Sequence, residues 1–518
     1  MIGSKKRNLI DLLLTRYGVL LLLIAVKFIL QYAMVNPVYE LHRDEFLYLD
    51  QAFHPAAGYV SVPPFTSWIA ALIYLLGDGL FWVRFFPALF GALVIVFIWF
   101  IVDEFDGGLH AKILAAVLFI FSVYLRINML FQPNSFEILV STIIFYIVIK
   151  YVRTGHPRWM LLLSVIVALA IYNKYNVLFL IVGLFVGLLL TPQRWIFAKK
   201  EFFIALGVSL ILLLPNIIWQ IQNHFPVIHH LNALNEKQLV HISSSDFLLG
   251  QFKYLMGGVI SLVVFVGFFL YKPFRPYRFI GWTFVITIML YAFAHAKGYY
   301  ALGLYPVIFA MGSVYWEKLL KKRAAFIVPI LVVLSVIPFL LSVKFFMPMQ
   351  SPEQIINQKE TYQSMGLLTW EDGKIHSLPQ DFADMIGWKE MAEKALKAYN
   401  TLSLEEKRKT LVLTENYGQA GALNFYNRKQ MPEAFAFNTD YIYWIPRLPE
   451  IRNILWVGPN PTHDISSLFN KIERIDTVQN PYTREKGTEI YLFLNANDGF
   501  TTLFYETIDK RKHFFDIF

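Results

Sequence analysis

Eleven apolar runs decide what this chain can become. They lie at 17–35, 82–102, 110–127, 135–152, 159–173, 176–191, 202–220, 247–270, 279–296, 299–316 and 325–346. A helix needs about 20 apolar residues to cross the hydrocarbon core of a bilayer. Within that core every backbone N–H and C=O must be satisfied inside the protein, which leaves helices or closed barrels. The runs therefore predict an α-helical polytopic membrane protein with about 11 transmembrane helices. A further apolar stretch, 65–77, is too short to span and is predicted to lie in the interface. The basic start followed by an apolar run shows no small-residue cleavage site, so the first run reads as a retained span.

Charge divides the chain in two. Residues 1–346 hold 27 Lys/Arg and 14 Asp/Glu, whereas residues 347–518 hold 19 and 23. The first part is depleted in charge as a membrane domain must be. The second has the composition of a water-soluble domain. Residues 347–375 read as a linker rich in Pro, Gln and Asn. From 376 to 518 the pattern predicts a small α/β domain: helix 387–400, strand 410–414, helix 417–426, strand 453–457, helix 463–471 and strand 489–494. There is no cysteine, which excludes disulfides and thiolate chemistry. The net charge of +9 sits beside the apolar runs, so it marks orientation and not a nucleic-acid partner.

With the N-terminus inside, the inner loops carry 18 Lys/Arg, among them Lys5, Lys6, Arg7 and Arg16, and the outer segments carry 8, among them Lys237. That asymmetry predicts a cytoplasmic N-terminus and, after eleven spans, an extracytoplasmic tail.

The unusual residues lie on the predicted outer face. The first outer loop, about 36–65, is long and dense in Asp, Glu, His, Tyr and Pro. Asp44 and Glu45 are adjacent, so on a helix over 44–53 they point about 100° apart. Asp44 has two readings: a helix cap, or a general base for an attacking hydroxyl. Asp50 reads as a solvated residue. Arg126 and Asn128 end the third span. Lys174 and Lys297 sit in very short turns at the membrane boundary, flanked by Tyr175, Tyr299 and Tyr300. Such lysines either snorkel to headgroups or bind a lipid phosphate as point charges. The tyrosines suit an interface for the same reason in either case. In the tail, Asn416-Tyr417-Gly418-Gln419-Ala420-Gly421-Ala422 follows a strand; it is either a tight strand-to-helix turn or an anion site made of backbone N–H groups. Gly107-Gly108 reads as a turn and Gly257-Gly258 as helix packing. His229-His230 is an adjacent pair whose side chains diverge, and no metal-ligand spacing stands out. No phosphate-binding loop or dinucleotide fingerprint is present.

These residues carry a resemblance. Asp44-Glu45 past the first span, Gly58-Tyr59 and Pro63-Pro64 before the second, the Asn173-Lys174-Tyr175 turn, and the run from Lys297 through Tyr299-Tyr300 to Tyr305-Pro306 together resemble the polytopic GT-C glycosyltransferases. The branch is that of the bacterial relatives of protein O-mannosyltransferases and of the lipid A aminoarabinose transferase. The likeness covers most of residues 10–320, and the tail is similar to the extracytoplasmic domain of one bacterial branch. The resemblance implies a bacterial inner-membrane enzyme with a polyprenyl-phosphate sugar donor and a lipid, glycan or protein acceptor, usually with inversion. It implies Asp44 as base, Glu45 positioning a sugar, and Lys297 and Lys174 at the lipid phosphate, with Arg126, Tyr299 and Tyr300 in the same layer. It names no certain cofactor and leaves a divalent metal open. One departure is Ser61-Val62, where relatives carry a polar pair before Pro-Pro; His54 is the candidate substitute. Two other classes stay open: a lipid-linked sugar flippase, for which Lys27 is the clearest mid-span charge, and a non-enzymatic envelope assembly protein.

Overall fold

A computed structural model describes the backbone of residues 2–237 and 243–514, and the side chains of 17–236 and 243–513. The side chains of Lys5, Lys6, Arg7, Arg16 and Lys237, used above for orientation, lie outside the described residues. The chain forms two compact units. One holds Met1–Val35, Phe81–Trp219 and Leu234–Met347; the other holds Asn36–Leu80, Gln220–Ala233 and Pro348–Phe518.

The first unit is helical. The eleven apolar runs are largely helical, beginning with Ile2–Ala33 and ending with Ala324–Phe346, and the run 110–127 is broken at 121–123 into Leu109–Ile120 and Tyr124–Ile127. Among the described residues, six helical stretches are long and apolar enough to cross a membrane, or up to seven if the bent pair Val177–Leu189 and Pro192–Ala198 is one span. The chain is an integral membrane protein. The shorter count has a physical source. Helices such as Leu109–Ile120 and Arg158–Asn173 stop short of a full crossing, and Gly298–Phe346 joins two of the apolar runs in one continuous helical stretch. Gly257 packs as its sequence suggests: an added Cβ would fall 2.0 Å from the Ser335 carbonyl oxygen.

The second unit is built on a five-stranded sheet. β1 (Thr410–Thr414), β2 (Ala434–Ala436), β3 (Asn453–Gly458), β4 (Phe469–Thr477) and β5 (Glu489–Ala496) lie in the order β2-β1-β3-β5-β4. β1 runs parallel to β2 and β3, and β5 runs antiparallel to β3 and β4. β1, Leu-Val-Leu between threonines, is buried throughout, as a strand with parallel neighbours should be. Helix Phe500–Phe514 sets Phe500, Phe504 and Ile508 into one cluster with Leu411, Leu413 and Phe493. The predicted helix 463–471 is corrected. Only His463–Ser466 is helical, and 469–477 forms β4, a largely polar strand at the sheet edge whose apolar residues Phe469, Ile472 and Ile475 recur every third position, a spacing that imitates a helix. Residues 347–375 carry two short helices, Pro352–Ile356 and Lys359–Ser364.

The segment after the first apolar run, Asn36–Leu80, belongs to this same unit. Its helix Arg43–Asp50 packs against Tyr417–Asn427, and Val60 joins the sheet's own apolar cluster. Two glycines set the approach of the two helices. A Cβ on Gly418 would lie 2.5 Å from Arg43 Cγ, and one on Gly421 would lie 2.6 Å from Phe46 Cβ and 2.7 Å from the Tyr441 hydroxyl. At Gly418 the Arg43 side chain would have to shift, and at Gly421 a Cβ would press on Phe46 Cβ and, at 3.1 Å, on the Phe46 backbone carbon, which cannot shift without moving the helix. Gly421→Ala is therefore expected to destabilise this unit by about 1–3 kcal/mol, the usual cost of overpacking, seen as a lower thermal midpoint; an unchanged midpoint would mean the helices have room.

Candidate active site

In the second unit the first loop and the tail share their polar groups. Helix Arg43–Asp50 begins with His42 as its cap. His42 Nδ1 accepts from the Asp44 N–H (3.2 Å), and Glu45 Oε2 accepts from the His42 N–H (2.6 Å). This corrects the capping reading of Asp44: a histidine and Glu45 close the helix start reciprocally, and Asp44 is released from that task. Glu45 is fully buried. Asp44 is the acid of the pair that reaches outward, its side chain 35% exposed. Tyr417, the first residue of the tail helix, donates its hydroxyl to Asp44 Oδ1 at 2.8 Å. The Arg43 guanidinium lies over the Tyr417 ring, 4.3 Å from its centre.

Asp50 is not solvated. Its side chain is 1% exposed and pairs with Arg428, and it accepts from Asn424 Nδ2 (2.7 Å) and the Tyr441 hydroxyl (2.7 Å). A second buried acid, Asp440 of the tail, accepts from the Val60 N–H (2.6 Å) and Gln51 Nε2 (3.0 Å). Burial pushes both carboxyls up from 3.8 to about 6 against these partners. Glu40 accepts from the Lys389 N–H (2.9 Å) and the Tyr426 hydroxyl (3.3 Å), and burial raises it as well.

The remaining motif residues of the loop have structural partners. His54 Nε2 meets Glu433 Oε1 at 2.6 Å, and its ring stacks on Trp444 at 4.1 Å. The Tyr59 hydroxyl donates to the carbonyls of Gln51 and His54, both at 2.9 Å. Gly58 is buried beside it, and Pro63-Pro64 leads into helix Phe65–Leu76, which Pro64 caps. The anion reading of the Asn416–Ala422 stretch is corrected. The N–H groups of Gly418 and Gln419 both donate to Asn416 Oδ1, so the turn consumes them itself.

The first unit gathers a separate group. Lys174 caps the end of helix Arg158–Asn173. Its Nζ donates to Asn134 Oδ1 (2.8 Å), lies 3.4 Å from Glu137 Oε2, and sits over the Tyr300 and Tyr299 rings at 4.4 and 5.4 Å. Asn176 bonds to Glu137 and to the Tyr300 carbonyl. Lys297 begins the turn Gly298–Leu304 that presents both tyrosines. Arg126 is buried, with Nη1 3.6 Å from Met129 Sδ, and neighbouring Asn128 donates to Ser135. Glu137 was missed by sequence reasoning, although an acid at the start of a span among so few was a usable signal. Lys27 is buried and donates to the Ala88 carbonyl (3.0 Å) and Gln31 Oε1 (3.2 Å). An apolar pocket of about 420 Å³ opens among Val148, Leu163, Val167, Phe185 and Phe202. Among the described residues, no group of three or more acids or histidines could hold a metal ion.

The family model described as dolichyl-phosphate-mannose-protein mannosyltransferase matches residues 61–219. A crystal structure of ArnT from Cupriavidus metallidurans bound to undecaprenyl phosphate aligns with a TM-score of 0.61 at 13% identity, covering 92% of this chain and 98% of that one. The same protein in the apo state aligns at 0.60, with the same identity and coverage. An oligosaccharyltransferase from Archaeoglobus fulgidus aligns at 0.48 and 12% identity, over 85% of this chain and 68% of that one. No curated protein matches the sequence. The ArnT alignment shows a shared fold over nearly the whole chain, and the mannosyltransferase region lies inside it. The chain is thus similar to the GT-C membrane glycosyltransferases in fold and, over 61–219, in family region.

The two buried carboxyls make the second unit sensitive to pH. Asp50 and Asp440 titrate near 6 when folded and near 3.9 when unfolded. The folded state therefore holds more protons across that interval. The stability from these groups is full below about pH 4 and is lost as pH rises through 6. Raising pH from 5 to 7 is expected to lower the thermal midpoint of this unit. In Asp50→Asn/Asp440→Asn the slope in that window should flatten, as read by calorimetry at several pH values; an unaltered slope would assign it to other groups.

Proposed function

We propose that this chain is a membrane glycosyltransferase that moves a sugar from a polyprenyl-phosphate donor to an acceptor hydroxyl, with inversion, at the outer face of the membrane. The observation that carries this reading is Asp44. It sits on a helix capped by other residues and receives one tyrosine hydroxyl, yet keeps a third of its side chain exposed while Glu45 and Asp50 are buried.

In the reaction Asp44 takes the proton of the acceptor hydroxyl as its oxygen attacks the anomeric carbon. The bond from that carbon to the phosphate oxygen breaks, and the polyprenyl phosphate leaves as an anion. A positioned base contributes about 10²–10⁴ in rate, and fixed cations stabilise the leaving charge without reorganising. Lys174 and Lys297, with Arg126 and the Tyr299-Tyr300 pair, are assigned to the lipid phosphate. Glu137 and Asn134 hold the Lys174 ammonium in place until then. The 420 Å³ apolar pocket suits part of the acyl chain. Glu45 acts through the helix start, by fixing the backbone that carries Asp44, in place of the direct sugar contact implied by resemblance.

The reading assigns 1–346 to the membrane enzyme, with 347–375 leading to an extracytoplasmic domain from 376. Residues 36–80 and 348–518 lie in one compact unit, which supports placing both on one side of the bilayer, and the basic loops support the outer side. The dolichyl-phosphate-mannose family region and the undecaprenyl phosphate bound to the similar ArnT support a lipid-phosphate donor; the sugar and the acceptor are for the assay to name. Lys27, the best argument for a flippase, is committed to Gln31 and the Ala88 carbonyl, which supports a packing part in place of a transport path.

The test uses the full chain in lipid nanodiscs with radiolabelled polyprenyl-phosphate mannose and other polyprenyl-phosphate sugars, and a membrane-lipid extract as acceptor. The parent should release polyprenyl phosphate and label a product, and Asp44→Asn should lose at least about 10²-fold of kcat with its thermal midpoint kept. Turnover that survives in a folded Asp44→Asn would remove Asp44 as the base.

A further inference from the structure

The end of the membrane unit away from Lys174 holds opposite charges that share a pocket without meeting. This polar pocket, about 380 Å³, is lined by Tyr151, Gly155, Trp195, Lys199 and Glu201. Gly155 ends the helix Pro133–Thr154 in the left-handed conformation, with φ 64°. Lys199 and Glu201 flank Lys200, which begins the helix Lys200–Gln222. The Trp195 ring lies against Tyr151, 5.6 Å between centres, and the Lys199 ammonium stands 5.8 Å from the Trp195 ring centre. Among the described residues, Glu201 Oε2 is buried and receives no hydrogen bond. An acid in a first turn suits the helix dipole. That accounts for its charge, but not for a buried oxygen left without a donor, which is costly. The pocket is separate from the group around Lys174. That lysine caps the far end of helix Arg158–Asn173, whose 16 residues span about 24 Å.

We infer that this pocket binds the headgroup of a phospholipid carrying a primary ammonium beside its phosphate, a lipid of the phosphatidylethanolamine type. Lys199 meets the phosphate as a point charge. The ammonium donates to Glu201 Oε2 and supplies the missing partner. Both charges are needed. A phosphatidylglycerol headgroup would leave the acid unpaired, and a quaternary choline has no N–H to give it. The surroundings suit a lipid. Gly155 lies between the apolar runs 135–152 and 159–173, and Trp195, Lys199 and Glu201 lie between 176–191 and 202–220. The pocket is therefore at the membrane boundary, where tryptophan is favoured. Beyond Glu201 the helix continues with Phe203, Ile204 and Leu206, all exposed, an apolar surface for acyl chains. Lys150, Arg153, Arg158 and Arg194 in the same two connectors support the cytoplasmic leaflet. The inference is independent of the proposed glycosyl transfer.

The experiment takes the full chain, delipidated in detergent micelles, and adds phosphatidylethanolamine, phosphatidylcholine or phosphatidylglycerol with the same acyl chains. Native mass spectrometry reads the lipid retained. The parent should hold phosphatidylethanolamine about 10-fold more tightly than the other two, the worth of one charge-assisted hydrogen bond. Glu201→Gln should lose that preference, and Lys199→Gln should weaken the hold on all three lipids. Lys272→Gln, at an exposed lysine of another connector, should keep the parent's pattern. Should Glu201→Gln fail to fold, N-methylated phosphatidylethanolamines test the same bond on the parent. The dimethylated lipid keeps one N–H and should be retained above phosphatidylcholine; retention at the phosphatidylcholine level would count against the bond to Glu201. Soluble phosphoethanolamine should displace little of the lipid, and full displacement would assign the pocket to a free solute. Equal retention of the three lipids, or a Glu201→Gln chain with the parent's preference, overturns the inference.

Discussion

Close contact between two short helices, one from each end of the chain, is the constraint on which the candidate site depends. Arg43–Asp50 follows the first span, and Tyr417–Asn427 lies more than 300 residues later. Glycines 418 and 421 let them approach closely enough for side chains of one to satisfy the acids of the other. Burying Asp50 away from water is costly unless charge and hydrogen bonds replace the solvent. Arg428, Asn424 and Tyr441 do so, and all three come from the tail. Asp440 makes the reverse exchange, with a tail carboxylate satisfied by Gln51 and the Val60 backbone of the loop. Neither segment can meet its own polar demands. The unit is therefore a single folding problem even though its parts are far apart in sequence.

That arrangement assigns different work to neighbouring acids. Glu45 closes the helix start, Asp50 anchors the helix end, and Asp44 between them is spared from both tasks. A carboxylate that stays partly exposed on a well-fixed helix can do chemistry with little reorganisation. In the membrane unit the parallel case is Lys174, whose charge is balanced by Glu137 and flanked by the faces of Tyr299 and Tyr300. A cation so compensated is stable in the absence of a ligand, and an incoming phosphate would share it with Glu137.

Much of this was legible in the sequence, and the rest was hidden for physical reasons. Apolar runs mark membrane helices because the bilayer imposes a single solution, so all eleven are largely helical. The strands at 410–414 and 453–457 and the helices near 388–400 and 417–427 announce themselves by apolar runs and periodicity. β4 was hidden because its apolar residues Phe469, Ile472 and Ile475 are spaced by three, as on a helix, and β2 because three residues make no pattern. Asp50 was misread as solvated because its partners are remote in sequence, and local pattern carries no information about them. The Asn-Tyr-Gly-Gln stretch stood out and left two readings open, a tight turn or an anion site; the structure favours the turn, because Asn416 takes up the Gly418 and Gln419 N–H groups.

The central claim is that the loop bearing Asp44 is folded by the tail. Hydrogen exchange on the full chain in nanodiscs tests it most directly, comparing the parent with Gly421→Val, which drives a branched side chain into Phe46. The account predicts that residues 43–50 and 417–427 lose protection together while the helix Pro133–Thr154 keeps its own. Protection of 43–50 that survives the loss of order in 417–427 would contradict it.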